Sequence, residues 1–450
     1  MLIPNRIILA TATMLTSVGV AIAQPVWPPP YAMIEIKAPG DTQVAPMGIN
    51  GSAAMTGSLI SPNISFVWEE GVGHYLRSVN PIFSADTNDI NDAGWIVGVG
   101  GDFSGNFVPT LWIDREPISL GTLGGDGGEA DAVNVIGVVV GQAANQEVPG
   151  RAFRWSDGKM IDLGTLGGRG AHAWGVNNLD HIVGHTFSDD PNLIGKRGFL
   201  WENGVMIDIG TLPGGSECQA FDINDLSQIV GHCRDADSND IAFLWENGVM
   251  RSIHDFDLGD VSWAMRINNR SEVVGIVDPG IDAFIWNEVN GMRLIDDLIP
   301  PNHGLRIRIG RDINDYGQIA LEAYRRNAQN GTFVGALVTP VNPTMTMEQP
   351  APGRAGVSNT ITVSGATPGV TVRFFYSPRG GGEIIPGCAT RVNALQLSNP
   401  QLIGSARADA NGVATITRNV PPVAQNQTIL FQAVVQNECA ISQLVVHRFE

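Results

Sequence analysis

The feature that most narrows what this chain can fold into is internal repetition. An asparagine recurs at Asn50, Asn91, Asn134, Asn177, Asn224, Asn268 and Asn314, at intervals of 41, 43, 43, 47, 44 and 46 residues. In the first six copies a glycine follows seven residues later, at Gly57, Gly98, Gly141, Gly184, Gly231 and Gly275. The seventh departs, with Ala320 in its Ile-Ala. A tryptophan closes each of the first six copies: Trp68, Trp112, Trp155, Trp201, Trp245 and Trp286. A period of this length belongs to arrays in which one supersecondary unit is copied and stacked.

Each unit reads as four short strands. In the fifth these are Ala220 to Asn224, Ile229 to Gly231 and Ala242 to Trp245, then a segment of the Met160 to Leu163 type. The apolar runs are short and bounded by Gly, Asn and Asp, which is strand grammar. Composition agrees, with 54 Gly and only 16% charged residues. Asn91-Asp92-Ala93-Gly94 and Asn314-Asp315-Tyr316-Gly317 place Asn first and Gly fourth, as tight turns prefer. Four antiparallel strands in ~44 residues make a propeller blade. The fold expected over 31–341 is therefore all-β, a seven-bladed β-propeller. The last copy lacks a fourth strand of its own. Met33-Ile34-Glu35-Ile36 matches Met206-Ile207-Asp208-Ile209, so the N-terminal strand is expected to close the array. An open solenoid, the alternative, leaves that strand unpaired.

The combination of Leu-Gly-Thr-Leu-Gly-Gly at Leu120 and Leu163, its variant from Ile209, the Asn-to-Gly text and Ala-Phe-Leu-Trp resembles the HAF repeat of extracellular bacterial proteins. Residues 294–301 and 335–340 resemble its terminal repeat. The usual His of the His-Ala-Phe triplet is absent, with Arg151, Ile241, Asp282 and Val334 in its place. The resemblance implies export and repetition, and brings no catalytic residues.

Export is also read from the first 23 residues. Arg6 precedes an apolar stretch from Ile7 to Val20, and Ala21-Ile22-Ala23 offers a cleavage site before Gln24. A secreted, extracellular or periplasmic bacterial protein, monomeric and outside any membrane after cleavage, is the expectation. Four cysteines in an exported chain suggest two disulfides. Cys218 and Cys233 are equidistant from the centre of a predicted hairpin, which leaves Cys388 to pair with Cys439. After Val341 the repeat stops. Alternating text such as Thr360-Ile361-Thr362-Val363 and Ile429 to Val435 predicts a β-sandwich over 342–450, similar to immunoglobulin-like modules of secreted proteins. A net charge of −18 argues against nucleic acid as a partner.

Candidate chemistry is sparse. The recurrent Trp residues keep the repeat's symmetry and are assigned to packing between units. Asp89, Asp222 and Asp312, in the Asp-Ile-Asn-Asp turns, are read as satisfying local backbone groups. Asp235, Asp237 and Asn239 alternate as in a calcium loop, with Glu246 at the twelfth position, but Asp240 replaces the turn glycine, so calcium is a weak candidate cofactor. His185 and His232 share a register, with His181 nearby, and are expected to hydrogen-bond at the rim. No nucleophile elbow, zinc-protease or phosphate-loop motif occurs. Sequons at Asn63, Asn269, Asn330 and Asn426 are read as chance.

The loops around 99–109, 185–197, 232–240 and 298–305 carry the length variation and share one face. The expectation is a non-enzymatic binding scaffold that takes an extracellular glycan or surface protein on that face. The alternative is a polysaccharide hydrolase or lyase using loop carboxylates such as Asp189, Asp190 and Asp237.

Overall fold

The computed structural model describes residues 31–37, 43–59, 64–188, 195–326, 332–341, 345–384, 394–435 and 440–450. Residues 1–23, read as an export signal, and Cys388, Cys439, Asp189 and Asp190 lie outside the described residues. Within them the chain is all-β, broken only by short 3-10 turns at Ile295–Asp297 and Pro422–Ala424. No helix among the described residues is long and apolar enough to cross a membrane.

The repeat becomes a propeller-type array of four-stranded antiparallel sheets. Six of them run in chain order, over 44–75, 85–119, 128–162, 171–208, 218–252 and 261–294. A seventh sheet combines Leu305–Ile313, Ile319–Arg325 and Phe333–Pro340 with Tyr31–Glu35, where Met33 lies opposite Val338. Second and third strands such as Ile229–Arg234 and Asp240–Glu246 are buried on both faces, which is why they read as short apolar runs. Fourth strands such as Val249–Ser252 are mostly exposed.

The cores lie between neighbouring sheets. One joins Val140 and Ala152 of the third unit to Ala173 and Phe199 of the fourth, with Trp201 packed on it. Another joins Val183 and Leu200 to Ala220, Phe243 and Cys233, with Trp245 against it. Trp68, Trp112 and Trp286 are buried outright. The recurrent indoles therefore serve packing.

The anchor asparagine holds both the turn and the array. Asn177 Oδ1 accepts the backbone N–H of Leu179 (3.0 Å) and of His181 (2.9 Å). Its Nδ2 donates to Asn224 O of the next unit at 3.0 Å, and its own carbonyl receives Asn134 Nδ2 at 2.9 Å. The same donation runs from Asn50 to Asn91, Asn91 to Asn134, Asn224 to Asn268 and Asn268 to Asn314. It returns from Asn314 to the carbonyl of Asn50 at 2.9 Å. The fourth turn residue is left-handed, as at Gly94 (φ 78°), Gly317 (φ 75°) and Asp180 (φ 64°), which explains the preference for glycine there.

The glycine seven residues on has a steric cause. A Cβ on Gly231 would fall 1.9 Å from the carbonyl oxygen of Gln219 on the first strand, and one on Gly184 1.9 Å from that of His172. Counted by position and register, the seventh copy's equivalent is Leu321 rather than Ala320. Leu321 faces Gly310, where the fifth copy sets Gly231 against Ala220. The glycine has crossed the ladder, so one side of the pair still lacks a Cβ.

Cys218 faces Cys233 across the fifth hairpin and is disulfide-bonded to it, with Cα atoms 4.1 Å apart. The C-terminal residues form two larger sheets and a two-stranded hairpin. One holds Thr346–Met347, Ser358–Ser364 and Ala414–Asn419; the other includes Thr371–Ser377, Gln401–Arg407 and Thr428–Val435. Val363, Phe374, Ile416, Phe431 and Phe449 share the core between them. A hairpin of Gly380–Ile384 and Ala394–Leu397 lies against Tyr31–Glu35. There Leu395 is buried with Ala32 and Val341, and Gln396 Nε2 donates to Tyr31 O at 3.3 Å.

Replacing Asn177 with Ala removes a donor and a doubly used acceptor at a buried site. Chemical denaturation should show a loss of ~2–4 kcal/mol. Asn178→Ala, at the exposed neighbour, should cost less than ~1 kcal/mol.

Candidate functional site

Every first strand carries a β-bulge three residues before its anchor asparagine. The register slips at Met47, Asn88, Asp131, Trp174, Phe221, Met265 and Arg311. A bulge leaves one residue unpaired and re-aims its side chain. All seven line one cavity of about 660 Å³. The scaffold thus repeats the position while the sequence varies its content from one unit to the next.

Below this layer sit buried charges from the position one residue on. Asp89 Oδ2 accepts the N–H of Val133 (3.0 Å), Asp222 Oδ2 that of Ile267 (2.8 Å) and Asp312 Oδ2 that of Ile49 (2.7 Å). These aspartates therefore stitch one unit to another rather than serving only their own turns. Arg266 is buried among them, and the carboxylates of Asp222, Asp312, Asp89 and Asp131 outweigh its burial and raise its pKa. Burial, eased by Arg266, pushes Asp312 up to about 7. Burial pushes Asp131 up to about 6 against the pull of His172, and raises Asp89 and Asp222 too.

One side of the cavity is aromatic. The His172 imidazole stacks on Trp174, with centroids 3.7 Å apart and planes at 17°. Trp174 meets Phe221 edge-on at 6.0 Å, Phe221 lies 5.2 Å from His232, and His232 stacks on Trp263 at 5.1 Å. Trp174 Nε1 donates to His185 Nδ1 at 3.0 Å. The rim placement expected for His185 and His232 is corrected here. Both are buried, at 7% and 6% exposure, because their strand pairs with the inner strand, setting His185 opposite His172 and His232 opposite Gln219. Burial is the main cause that lowers His185 to about 3 and His232 to about 4, so both are neutral imidazoles near pH 7. His181 lies elsewhere, against Ser227 and Glu202.

The margin is charged. Arg234 lies 3.2 Å from Glu217 and 3.7 Å from Asp240, and Lys196 Nζ donates to Gln219 Oε1 at 2.9 Å. Of these, Lys196, Arg234 and Asp240 come from the ends of loops expected to carry function. Glu129, Asp131 and His172 offer donor atoms within 4.8 Å of one another, the described group with metal-ligating composition. Here His172 Nε2 is held by Asp131 Oδ2 at 2.8 Å.

The calcium reading of Asp235, Asp237 and Asn239 is not supported by geometry. Asp235 Oδ1 accepts the N–H of Asp237 and of Asn239, both at 2.9 Å, and so caps its own turn. Glu246 ends the strand Asp240–Glu246, some ~20 Å from where it begins. It bonds Gln228 Nε2 there at 3.1 Å instead of closing a loop. Asp237 is exposed on that turn. The sequence did hold a signal for the cavity: the position three residues before the anchor asparagine is Met, Asn, Asp, Trp, Phe, Met and Arg across the seven copies.

No family model and no curated protein matches the chain. Among solved structures it is similar to a catalytically inactive virginiamycin B lyase from Staphylococcus aureus with quinupristin. That pair shares 10% identity over 68% of this chain and 99% of that one, with a TM-score of 0.45. A gluconolactonase from Xanthomonas campestris shares 12% over 71% and 99%, with a TM-score of 0.34. A fungal alcohol oxidase of the AA5 family, in complex with copper, shares 10% over 93% and 98%, with a TM-score of 0.40. These likenesses concern the course of the backbone and assign no activity.

Asp312 ionises near 3.8 as a free side chain but only at about 7 in the fold. Between these values the folded chain holds more protons than the unfolded one, so stability falls as pH rises through that window and levels off above it. His185 and His232, held low by burial, contribute the opposite slope below about 6.5, so the Asp312 contribution is read by difference. In thermal melts Asp312→Asn, which keeps an oxygen for Ile49, should gain several degrees relative to the parent on going from pH 5 to pH 8.

Proposed function

We propose that the chain is an exported binding protein of the HAF-repeat kind, a seven-bladed propeller zipped shut by Tyr31–Glu35, and that its ligand occupies the central cavity. The observation that carries this reading is the bulge position. Side chains that serve only the scaffold repeat with it, as the anchor asparagines do, whereas Trp174, Phe221 and their equivalents differ from unit to unit while facing one space. Binding sites are concave, largely apolar and furnished with a few placed polar groups. The leader-like first residues, the disulfide and the loop-end contributions of Lys196, Arg234 and Asp240 support an extracellular ligand.

A saccharide is the ligand class that suits the cavity. Pyranose rings present C–H faces to indoles and phenyl rings, and Trp174, Phe221 and Trp263 furnish such faces on three neighbouring strands. Scaffold binding is favoured over turnover because Glu217 and Asp240 are paired with Arg234 rather than placed opposite each other as acid and nucleophile.

A panel of bacterial exopolysaccharide fragments and surface proteins, followed by tryptophan fluorescence and calorimetry, tests this. A saccharide should bind, and Trp174→Ala should weaken it about tenfold or more. Asp237→Ala, on the exposed turn, should leave binding unchanged. Turnover of the bound saccharide, or binding indifferent to Trp174, would overturn the proposal.

A further inference from the structure

One corner of the cavity contains hydrogen-bond donors without acceptors. Lys196 Nζ donates to Gln219 Oε1 (2.9 Å), which turns the Gln219 amide nitrogen toward His232 Nε2 (3.0 Å). An amide nitrogen only donates, so His232 Nε2 is the accepting nitrogen of a neutral ring and the ring proton sits on Nδ1. That Nδ1 is buried and meets no acceptor among the described residues. The indole Nε1 of Trp263, a donor only, is in the same condition, and its ring is stacked on His232. Lys196 adds an ammonium that forms no ion pair with a described carboxylate. The carboxylates nearest this corner, Glu217 and Asp240, are held by Arg234.

Buried donors are almost always satisfied in folded proteins, and an orphan asks for an explanation. Two orphan N–H groups and an ammonium together specify a partner that accepts and does not donate. A sugar hydroxyl would satisfy these donors only singly and would have to pass its own proton to Asp240 or Glu217, which line the same cavity. A carboxylate or sulfate oxygen fits fully.

We infer that the ligand is an acidic saccharide whose oxyanion is received by His232 Nδ1–H and Trp263 Nε1–H beside Lys196, with its ring against Trp174 and Phe221. This inference rests on the cavity being the binding site, and adds the charge of the ligand. His232 is suited to the role because it keeps one fixed proton across the neutral range, burial holding it at about 4. Selectivity follows from desolvation. An anion in this corner meets donors already stripped of water, whereas a neutral ester leaves them unmatched.

The test is calorimetric titration of the full chain with three probes: trigalacturonate, its methyl ester, and a sulfated galactose trisaccharide. Either anion should bind at least about tenfold tighter than the ester, and the arm that does so tells carboxylate from sulfate. His232→Phe and Trp263→Phe keep a ring and lose the N–H. Each should lower anion affinity about tenfold more than it lowers the ester's, with unaltered thermal melts certifying the fold. If ester and anions bind equally and Trp174→Ala weakens all three, the cavity stands as the site and the oxyanion inference falls. If none binds, both fall. If anions bind but both Phe variants match the parent, the charge is received elsewhere and this assignment is overturned.

Discussion

The rest of the structure depends on one side chain used in three directions. In six of the seven turns the anchor asparagine accepts two backbone N–H groups through Oδ1, as Asn224 does, while Asn134 accepts that of Val138; each donates through Nδ2 to the equivalent carbonyl of the next unit. Aspartate offers no donor and glutamine is a methylene too long, so the geometry selects asparagine. Local turn formation and contact between units are thereby satisfied by the same residue. That coupling explains why the asparagine persists through all seven copies while the glycine and tryptophan do not.

The bulge above the belt follows from it. With the asparagine fixed at one end and the second strand's glycine pressed against the first strand's backbone, the first strand slips its register between them and turns one side chain inward. Seven such slips produce a lined cavity on a symmetric frame. Its content breaks the symmetry: aromatics gather on the fourth to sixth units and Arg311 stands on the seventh. Arg266, one residue past its own bulge, neutralises part of the aspartate layer beneath, which would otherwise be a group of like charges in low dielectric. The floor therefore tolerates its charge through one shared guanidinium and through carboxyls that burial keeps protonated to higher pH.

Periodicity made the four-stranded units and the packing role of the indoles legible in the sequence, because both recur at fixed offsets. The Cys218–Cys233 disulfide was legible for a related reason, since hairpin symmetry puts residues equidistant from a turn opposite each other. The cavity was not. A bulge is invisible to period-two reasoning, so Trp174 and Phe221 read as unremarkable variable positions, and His185 and His232 were placed at the rim. The calcium pattern of Asp235, Asp237 and Asn239 failed for the converse reason: spacing that suits a loop crosses into an extended strand, where Glu246 is carried away. The substitution of Leu321 with Gly310 for the usual glycine pair needed register, which letters alone do not supply.

The strand Tyr31–Glu35 poses a different physical problem from its six counterparts. Their fourth strands are short and largely exposed, but Tyr31, Ala32 and Met33 are buried. A paired but uncovered edge of that length and apolarity would invite association with other chains. The C-terminal hairpin removes the hazard by laying Leu395 beside Ala32 and giving Tyr31 O a donor from Gln396. Tyr31 also donates its own N–H to Leu298 O at 2.9 Å, so the segment is held by that loop, by its partner strand Phe333–Pro340 and by the C-terminal hairpin. The C-terminal sheets are thus more than an appendage: by covering the strand that joins the first residues of the array to its last sheet, they tie the integrity of the repeats to a segment that shares none of their sequence.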